Sequence, residues 1–519
     1  MNNRITAILL SILLVSFSTV KAQDQNTEST EFWLTYLENL DLLFNGDPQF
    51  SLYIDAEASG ELLVEFPATG LSYEYEYDAG TMTEVILPAG LYYSESSEVA
   101  TNKGLKITTS TPIELTAFHY RIYFSEATKV LPIESLGSEY YVISFLDFDQ
   151  NVDSPSSFVV LATEDDTEIE ITPTANTTEF RPKDVPFIVD LNAGQTFEVQ
   201  SQGELTGSSI IALNGEKIAV FNGALKGNVA CGPADSHMYD QQLPRELHGN
   251  DYAAIPFGNQ SKGYFRILSL EDNNQISISG SNVETLEKGE HLDIELNEPS
   301  IISSSEDCSV AQFSYSFECS NPKNGDPNML QLYPLGFSNK RCRAINSIGF
   351  GGNSAGFTSR YITLITEEAS ESSVEVDELP IQWNSINSTD YKYSIVEVQE
   401  ESSSITAPLG VQAYAYGFGE YDAYTYGLGY DRNITSETSE IVNESFELFP
   451  NPTSNFVRLN SETLIVKLSI YNQIGQELDC ISDLPSKSLK IDLSQFPSGM
   501  LYFQIQTKNG ITRKSVHKI

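Results

Sequence analysis

Between Phe32 and Tyr430 the chain returns four times to the same order of short alternating strands, and this repetition limits what it can fold into more than any single motif does. Runs of four to eight residues alternate apolar with polar side chains and break at Gly, Pro, Asn and Asp. That is the period of antiparallel strands, and no convincing helical stripe accompanies it. Four passages open alike: PQFSLYIDAEASGELLVEF from 48, SSFVVLATEDDTEIEI from 156, KGYFRILSLEDNNQISI from 262 and SRYITLITEEASESSVEV from 359. Each reads as an aromatic-led strand, a polar tip and a returning strand, which predicts a β-hairpin. A second block then repeats at 104–118, 208–221 and 300–313, with a shortened copy at 405–416. Behind it come LPIESLGSEYYVISF from 131, LPRELHGNDYAAIPF from 243 and LYPLGFSNKRCRAINSIGF from 332.

The expected fold class is therefore all-β, with four homologous antiparallel β units at about 31–153, 154–258, 259–350 and 351–431. A unit of roughly 100 residues is the size of a β-sandwich of seven or eight short strands. The alternative is a closed β-propeller with two blades per unit, but a blade needs only ~40–50 residues, so unit length favours tandem sandwiches. Pro/Gly-rich joins argue for units packed on one another.

The ends of the chain differ in kind. A basic segment ending at Arg4, an apolar run from Ile5 to Val20 and a small residue at Ala22 predict a signal peptide over 1–22, cut after Ala22. The run is shorter than the ~20 residues a membrane span needs. Residues 446–519 carry eight Lys or Arg against six Asp or Glu, whereas residues 23–445 carry 19 against 66, a net charge of −47. The change near Ser445 marks a boundary, with 432–445 as a polar linker and 446–519 as a terminal Ig-like β-sandwich. An envelope this negative repels phosphate backbones and excludes nucleic acid as a partner class. A solvated acidic coat explains it more simply than a dedicated acidic binding face.

Few residues carry recognisable chemistry. Of the five cysteines, Cys308 and Cys319 flank a strand-like stretch and are the disulfide pair that proximity selects; other connectivities among Cys231, Cys308, Cys319 and Cys342 stay open, with Cys480 left over. Gly352-Asn353-Ser354-Ala355-Gly356 fits G-x-S-x-G, but a nucleophile elbow needs a helix after the serine, and a strand follows here. None of the five histidines has zinc spacing; His237, beside Asp235 and Asp240, either binds a metal or orients a base or, as its place in the inter-repeat loop favours, has a structural or hydrogen-bonding role. Asp147, Asp149, Asn151 and Asp153 place oxygen ligands at alternate positions, as a calcium-wrapping loop does, or form a solvated acidic turn; they lack the Gly and Glu of an EF-hand. Calcium is the one cofactor the sequence raises. Tyr416, Tyr421, Tyr424 and Tyr426, within a longer aromatic ending, form either a sugar-stacking surface or, as the period-2 spacing favours, the last unit's core.

Several of these segments carry a resemblance. EFWLTYLEN from 31, SSFVVLATEDDTEIEITP, ADSHMYDQQLP from 234, GDPNMLQLYP from 325 and YAYGFGEYDAYTYGLGYD from 414 resemble the N-terminal domain of IgGFc-binding proteins, over about 31–431. Relatives carry a Cys before Asp-His where this chain has Ala234-Asp235-Ser236-His237, so the disulfide expected there is not carried over. The resemblance implies a non-catalytic extracellular recognition or adhesion module with a glycoprotein, mucin or polysaccharide ligand; antibody Fc binding is not carried over. FELFPNPTSNFVRL from 446, LSIYNQIGQEL from 468 and LKIDLSQFPSGMLYFQIQTKNGITRKSVHKI from 489 resemble the type A C-terminal sorting domain of the type IX secretion system of the Bacteroidota. Its signs are Pro450-Asn451-Pro452, Gly475, Pro497 and Gly499. The implied route is Sec export, outer-membrane passage through the type IX machinery, and release or attachment at the cell surface, with no transmembrane helix in the mature chain. A secreted carbohydrate- or peptide-active hydrolase with an unrecognised carboxylate site, or a structural component of the surface matrix, are the competing expectations.

Overall fold

The computed structural model describes residues 25–39, 48–88, 97–146, 154–230, 234–320, 323–346, 357–387, 389–432, 446–471, 477–496, 499–507 and 510–519. It divides into two compact units, Met1–Arg432 and Asn433–Ile519.

One strand organises each of the four modules in the first unit. It runs over Leu105–Tyr120, Ser300–Phe313 and Ser402–Phe418 in modules one, three and four. In module two it is broken into Ser209–Ala212 and Ile218–Gly227. Its first half pairs with a lead strand (Ser29–Leu34, Glu139–Tyr141, Gly249–Ala254, Asn339–Ile345). Its second half pairs with a return strand (Glu126–Lys129, Ser236–Gln241, Met329–Gln331, Ala423–Gly427). The register of the lead strand shifts at Ser29/Glu31, Gly249/Asp251 and Asn339/Arg341. Such bulges let one strand bend and serve two layers.

The predicted hairpins do not form. Gln49–Ala56 and Gly60–Phe66 both occur as strands, but each pairs with the long strand Leu105–Tyr120 rather than with the other. Ser156–Ala162 and Thr167–Thr172 even lie in different sheets, as do the flanking layers they join. The polar tip therefore crosses from one layer to the other. Each strand has a core-facing stripe, and placing the two in opposite layers buries both stripes against each other, which a flat hairpin leaves to another element.

Burial follows from this. Thr167–Thr172 alternates between buried and more exposed positions, whereas Ser156–Ala162 is buried throughout. Phe158, Val160 and Ala162 face the core between the layers of module two, with Ile169, Ile171 and Val199. Val159 and Leu161 face the other way, into a core built by all four modules with Leu52, Phe265, Ile267 and Tyr414. The inner layers are thus covered on both faces. The modules are sandwich-like but, instead of each closing its own core, share their largest one. The propeller alternative is not formed, since each unit keeps a folded two-layer sheet instead of blades.

The modules meet in cyclic order. The return strands of modules one and two, two and three, three and four, and four and one contact each other. Among the described residues no ladder joins one return strand to another, and side chains satisfy their edges. Asp240 accepts the Thr128 hydroxyl at 2.5 Å and the Gln331 amide at 2.7 Å, Glu126 accepts the Met329 amide at 2.9 Å, and Gln241 accepts the Leu131 amide at 2.7 Å. At the seam between modules one and four, Gln25–Asn26 pairs antiparallel with Asp431–Arg432, and the Thr27 amide donates to Tyr430 O.

The second unit is a sheet in the order Phe446–Phe449, Phe456–Tyr471, Gly499–Thr507, Gly510–Lys518, with Glu477–Asp492 also paired to Phe456–Tyr471. Phe456–Tyr471 is one long strand whose register shifts between Asn460 and Ile465. Val457, Leu459, Leu468, Ile470, Ile491, Phe503 and Val516 form its core.

Candidate functional site

In every module the return strand pairs antiparallel with the long strand, so the connection between them falls at the start of the return strand, and the four connections lie at one end of the convergent return strands. These connections are 121–125, 228–235, 314–328 and 419–422, and their described residues bond to one another around the ring. Ser236 Oγ donates to Tyr123 O at 3.3 Å, joining modules two and one. The Val229 amide donates to Ser316 Oγ at 2.9 Å, joining two and three. The Gly325 amide donates to Gly419 O at 2.7 Å, joining three and four. Ser125 Oγ donates to Asp422 Oδ2 at 3.1 Å and closes four onto one.

A left-handed residue sits in each connection: Tyr123 at φ 69°, Ala230 at φ 77°, Gly325 at φ 83° and Tyr421 at φ 59°. Glycine adopts this conformation freely, but a tyrosine there costs about 1–2 kcal/mol. In return, two aromatic rings stay at the surface, with Tyr123 42% and Tyr421 37% exposed. Their centroids lie 6.4 Å apart at 90°, and half-buried Phe317 lies 4.2 Å from Tyr421 at 32°. Ile122, 41% exposed, extends the patch.

Carboxylates surround the rings. Glu420 is exposed and Glu318 half-buried, and Asp235 pairs with Lys226 at 2.8 Å. Beneath lie buried acids. Burial, with the charges of Asp422, Asp235 and Glu318, holds Asp326 well above the usual carboxylate range. Burial pushes Asp422 up to about 7 against the lowering effect of its hydrogen bonds, Ser125 first. His237 is fully buried, with Nδ1 3.1 Å from Leu225 O and its ring against His119 and Tyr239. Burial pushes its pKa down to about 4. It is a neutral structural histidine.

The residues singled out by sequence fare differently. Tyr416, Tyr424 and Tyr426 are buried, with the Tyr416 and Thr363 hydroxyls hydrogen-bonded at 3.0 Å inside the module, so they belong to the core and not to a ligand surface. Only Tyr421 of that set reaches the surface. Sequence reasoning misses Tyr123 and Phe317; the signal for Tyr123 is Ile122-Tyr123, two large apolar residues at a turn where polar ones are the rule. The Cys308–Cys319 pairing is overturned. Cys308 is a buried free thiol beside Ser304 Oγ at 3.3 Å, and Cys319 is disulfide-bonded elsewhere. Ala22, the calcium-type positions Asp147, Asp149, Asn151 and Asp153, the 352–356 motif, Gly475 and Pro497 lie outside the described residues. Among the described residues no cluster of three or more His, Cys, Asp or Glu is arranged to hold a metal ion. In the second unit Asn451, between Pro450 and Pro452, ties its turn to the last strand, donating to Ser515 O at 2.9 Å and accepting the His517 amide at 2.8 Å. Gly499 opens the neighbouring strand.

Comparison with known proteins places both units. A family model described as IgGFc binding protein matches residues 126–417, and one described as secretion system C-terminal sorting domain matches residues 447–518. No curated protein matches the chain. Among solved structures, a Faecalibacterium prausnitzii beta-glucuronidase is 7% identical, over 74% of this chain and 46% of its own, at a TM-score of 0.12. A tetra-tandem repeat in the extending region of a large adhesion protein is 9% identical, over 73% of this chain and 98% of its own, at a TM-score of 0.15. This chain thus spans less than half the length of the glucuronidase, and at these scores neither likeness carries an argument. The sorting domain marks the protein for type IX secretion to the cell surface or extracellular space. No described helix is long and apolar enough to cross a membrane. The match over 126–417 spans more than half of the sequence, and the chain belongs to the IgGFc binding protein family.

Proposed function

We propose that this exported protein is a non-catalytic recognition or adhesion protein, and that the ring of loops around Tyr123, Phe317 and Tyr421 docks an extracellular glycoprotein, mucin or polysaccharide. The observation that carries this reading is the strained, exposed tyrosine pair at the point where all four modules meet. Aromatic faces pack well on the apolar faces of sugars, and loops fixed on a rigid scaffold are where binding residues concentrate. Both matched domains are of non-enzymatic kinds, which favours binding over turnover.

The test is binding of the secreted protein to immobilised mucin and to a glycan array. Saturable binding that falls at least tenfold in Tyr123→Ala/Tyr421→Ala supports the reading. Turnover of polysaccharide or peptide substrates that an Asp/Glu scan abolishes would replace it with a hydrolase, and the absence of any saturable ligand would replace it with a structural matrix component.

A further inference from the structure

The chemistry around the tyrosines narrows the ligand, and this step rests on the recognition reading above. Within the described loop face Glu420 is exposed, Glu318 half-buried and Asp235 paired with a lysine, and the buried acids Asp326 and Asp422 lie beneath them. Three cations stand against them. Lys226 is taken by Asp235, Arg121 is buried with Nη1 on Asn39 O at 3.2 Å, and Lys323 is exposed. The Glu318 carboxylate faces the ring of loops closely enough to accept the Ala234 amide at 3.3 Å, and Glu420 precedes Tyr421 directly, bridged to Gly325. An approaching ligand therefore meets two kinds of group: aromatic faces and hydrogen-bond acceptors of negative charge.

We infer that this face binds a neutral glycan, made of uncharged hexose or hexosamine units, and rejects sialylated, uronic or sulfated chains. A neutral pyranose offers both complements at once. Its C–H face stacks on Tyr421 or Tyr123, and its hydroxyls donate to carboxylates in charge-assisted bonds. An acidic sugar brings a like charge into a loop face rich in carboxylates, inside a module region with 66 acidic against 19 basic side chains. The left-handed backbone gives the idea a sharp handle. Glycine at 421 or 123 relieves the strain while deleting the ring, so a fold role and a binding role move in opposite directions.

The experiment uses the secreted protein, Tyr421→Gly, Tyr123→Gly and Tyr421→Phe on an array pairing each neutral glycan with its sialylated and sulfated forms, with thermal melting of every variant. The expected result is binding to neutral glycans that is roughly tenfold or more weaker for the acidic partners. Both glycine variants lose it while melting at or above the wild-type temperature, and Tyr421→Phe keeps it. Preference for the acidic forms, with the same tyrosine dependence, overturns the neutral class and leaves the docking face standing. Neutral binding that is indifferent to both glycine variants overturns the face. Capture of a protein stripped of its glycans, with no response on the array, overturns the inference and the glycan reading together.

Discussion

Asp240 is the acid on which the meeting of the return strands turns, and replacing it with asparagine gives a protein that gains on wild type as the solution becomes more alkaline. Its carboxyl, 6% exposed, receives the Thr128 hydroxyl and the amides of Gln241 and Gln331. Burial nevertheless dominates and pushes its pKa up to about 7. In the unfolded chain an aspartate titrates near 3.9. Above that pH the unfolded state has released the proton while the folded state still holds it, so stability falls as pH rises, until the folded carboxyl has ionised near 7. Between pH 5 and pH 8 this covers about two pH units of differential titration, or about 3 kcal/mol at 1.36 kcal/mol per unit. The asparagine side chain resembles the neutral acid and cannot ionise. In urea denaturation the stability of Asp240→Asn relative to wild type should therefore rise by about 3 kcal/mol between pH 5 and pH 8, on top of the gain already made between about pH 3.9 and pH 5. Two profiles that run parallel from pH 5 to pH 8, at whatever offset, would refute the reasoning. Asp422 ionises at a similar pH but remains in both proteins and cancels in the difference.

Arg266 bonds Glu204 of module two at 2.6 Å and Asp293 of its own module at 2.7 Å. Burial raises the Glu204 pKa, but Arg266 and the bonds to Thr206 and Ser144 outweigh it and hold it down to about 2. Arg266→Met should cost about 3–5 kcal/mol at pH 7 by guanidinium denaturation, and less at pH 3, where Glu204 protonates once its partner is gone. Burial pushes the Cys308 thiol up to about 12 and raises that of Cys342, so intact-mass measurement after alkylation of the native protein should show neither labelled; unfolding should expose both. The calcium expectation at 147–153 is checked by melting with calcium and with chelator: a higher melting temperature with calcium supports a bound ion, and superimposed curves assign the segment to a solvated acidic turn.

Much of the strand content was legible because period-2 alternation is a local property. The four openings at 48, 156, 262 and 359 are all strands where the pattern put them. Pairing was not legible. A polar tip between two alternating runs looks the same whether the chain folds back within a layer or crosses to the opposite one, and the deciding partner, Leu105–Tyr120, lies some fifty residues downstream. The continuous apolar run of Ser156–Ala162 does record burial on two faces, but nothing in it says that the second face meets other modules. At the candidate site the aromatic ending drew attention to the right loop and mostly the wrong residues. Period-2 spacing sends Tyr416, Tyr424 and Tyr426 inward, and Tyr421 escapes because it sits in the turn. Its neighbours Tyr123 and Phe317 come from modules one and three, a proximity that only the closed ring creates.

The terminal hairpin of module four also fixes how tension runs through the molecule. Tyr421 lies at its tip, and the strand that follows, Ala423–Gly427, leads directly to Asp431–Arg432, where the first unit gives way to the second. A pull applied between Tyr421 and Arg432 runs through this one stretch. It meets the pairing of Ala423–Gly427 with Ser402–Phe418 and the clasp of Asp431–Arg432 on Gln25–Asn26, while the rest of the ring stays off the direct line of force. Along this path the clasp is the shorter ladder, two paired residues against five in the hairpin, so it is the place where the path has least to hold it.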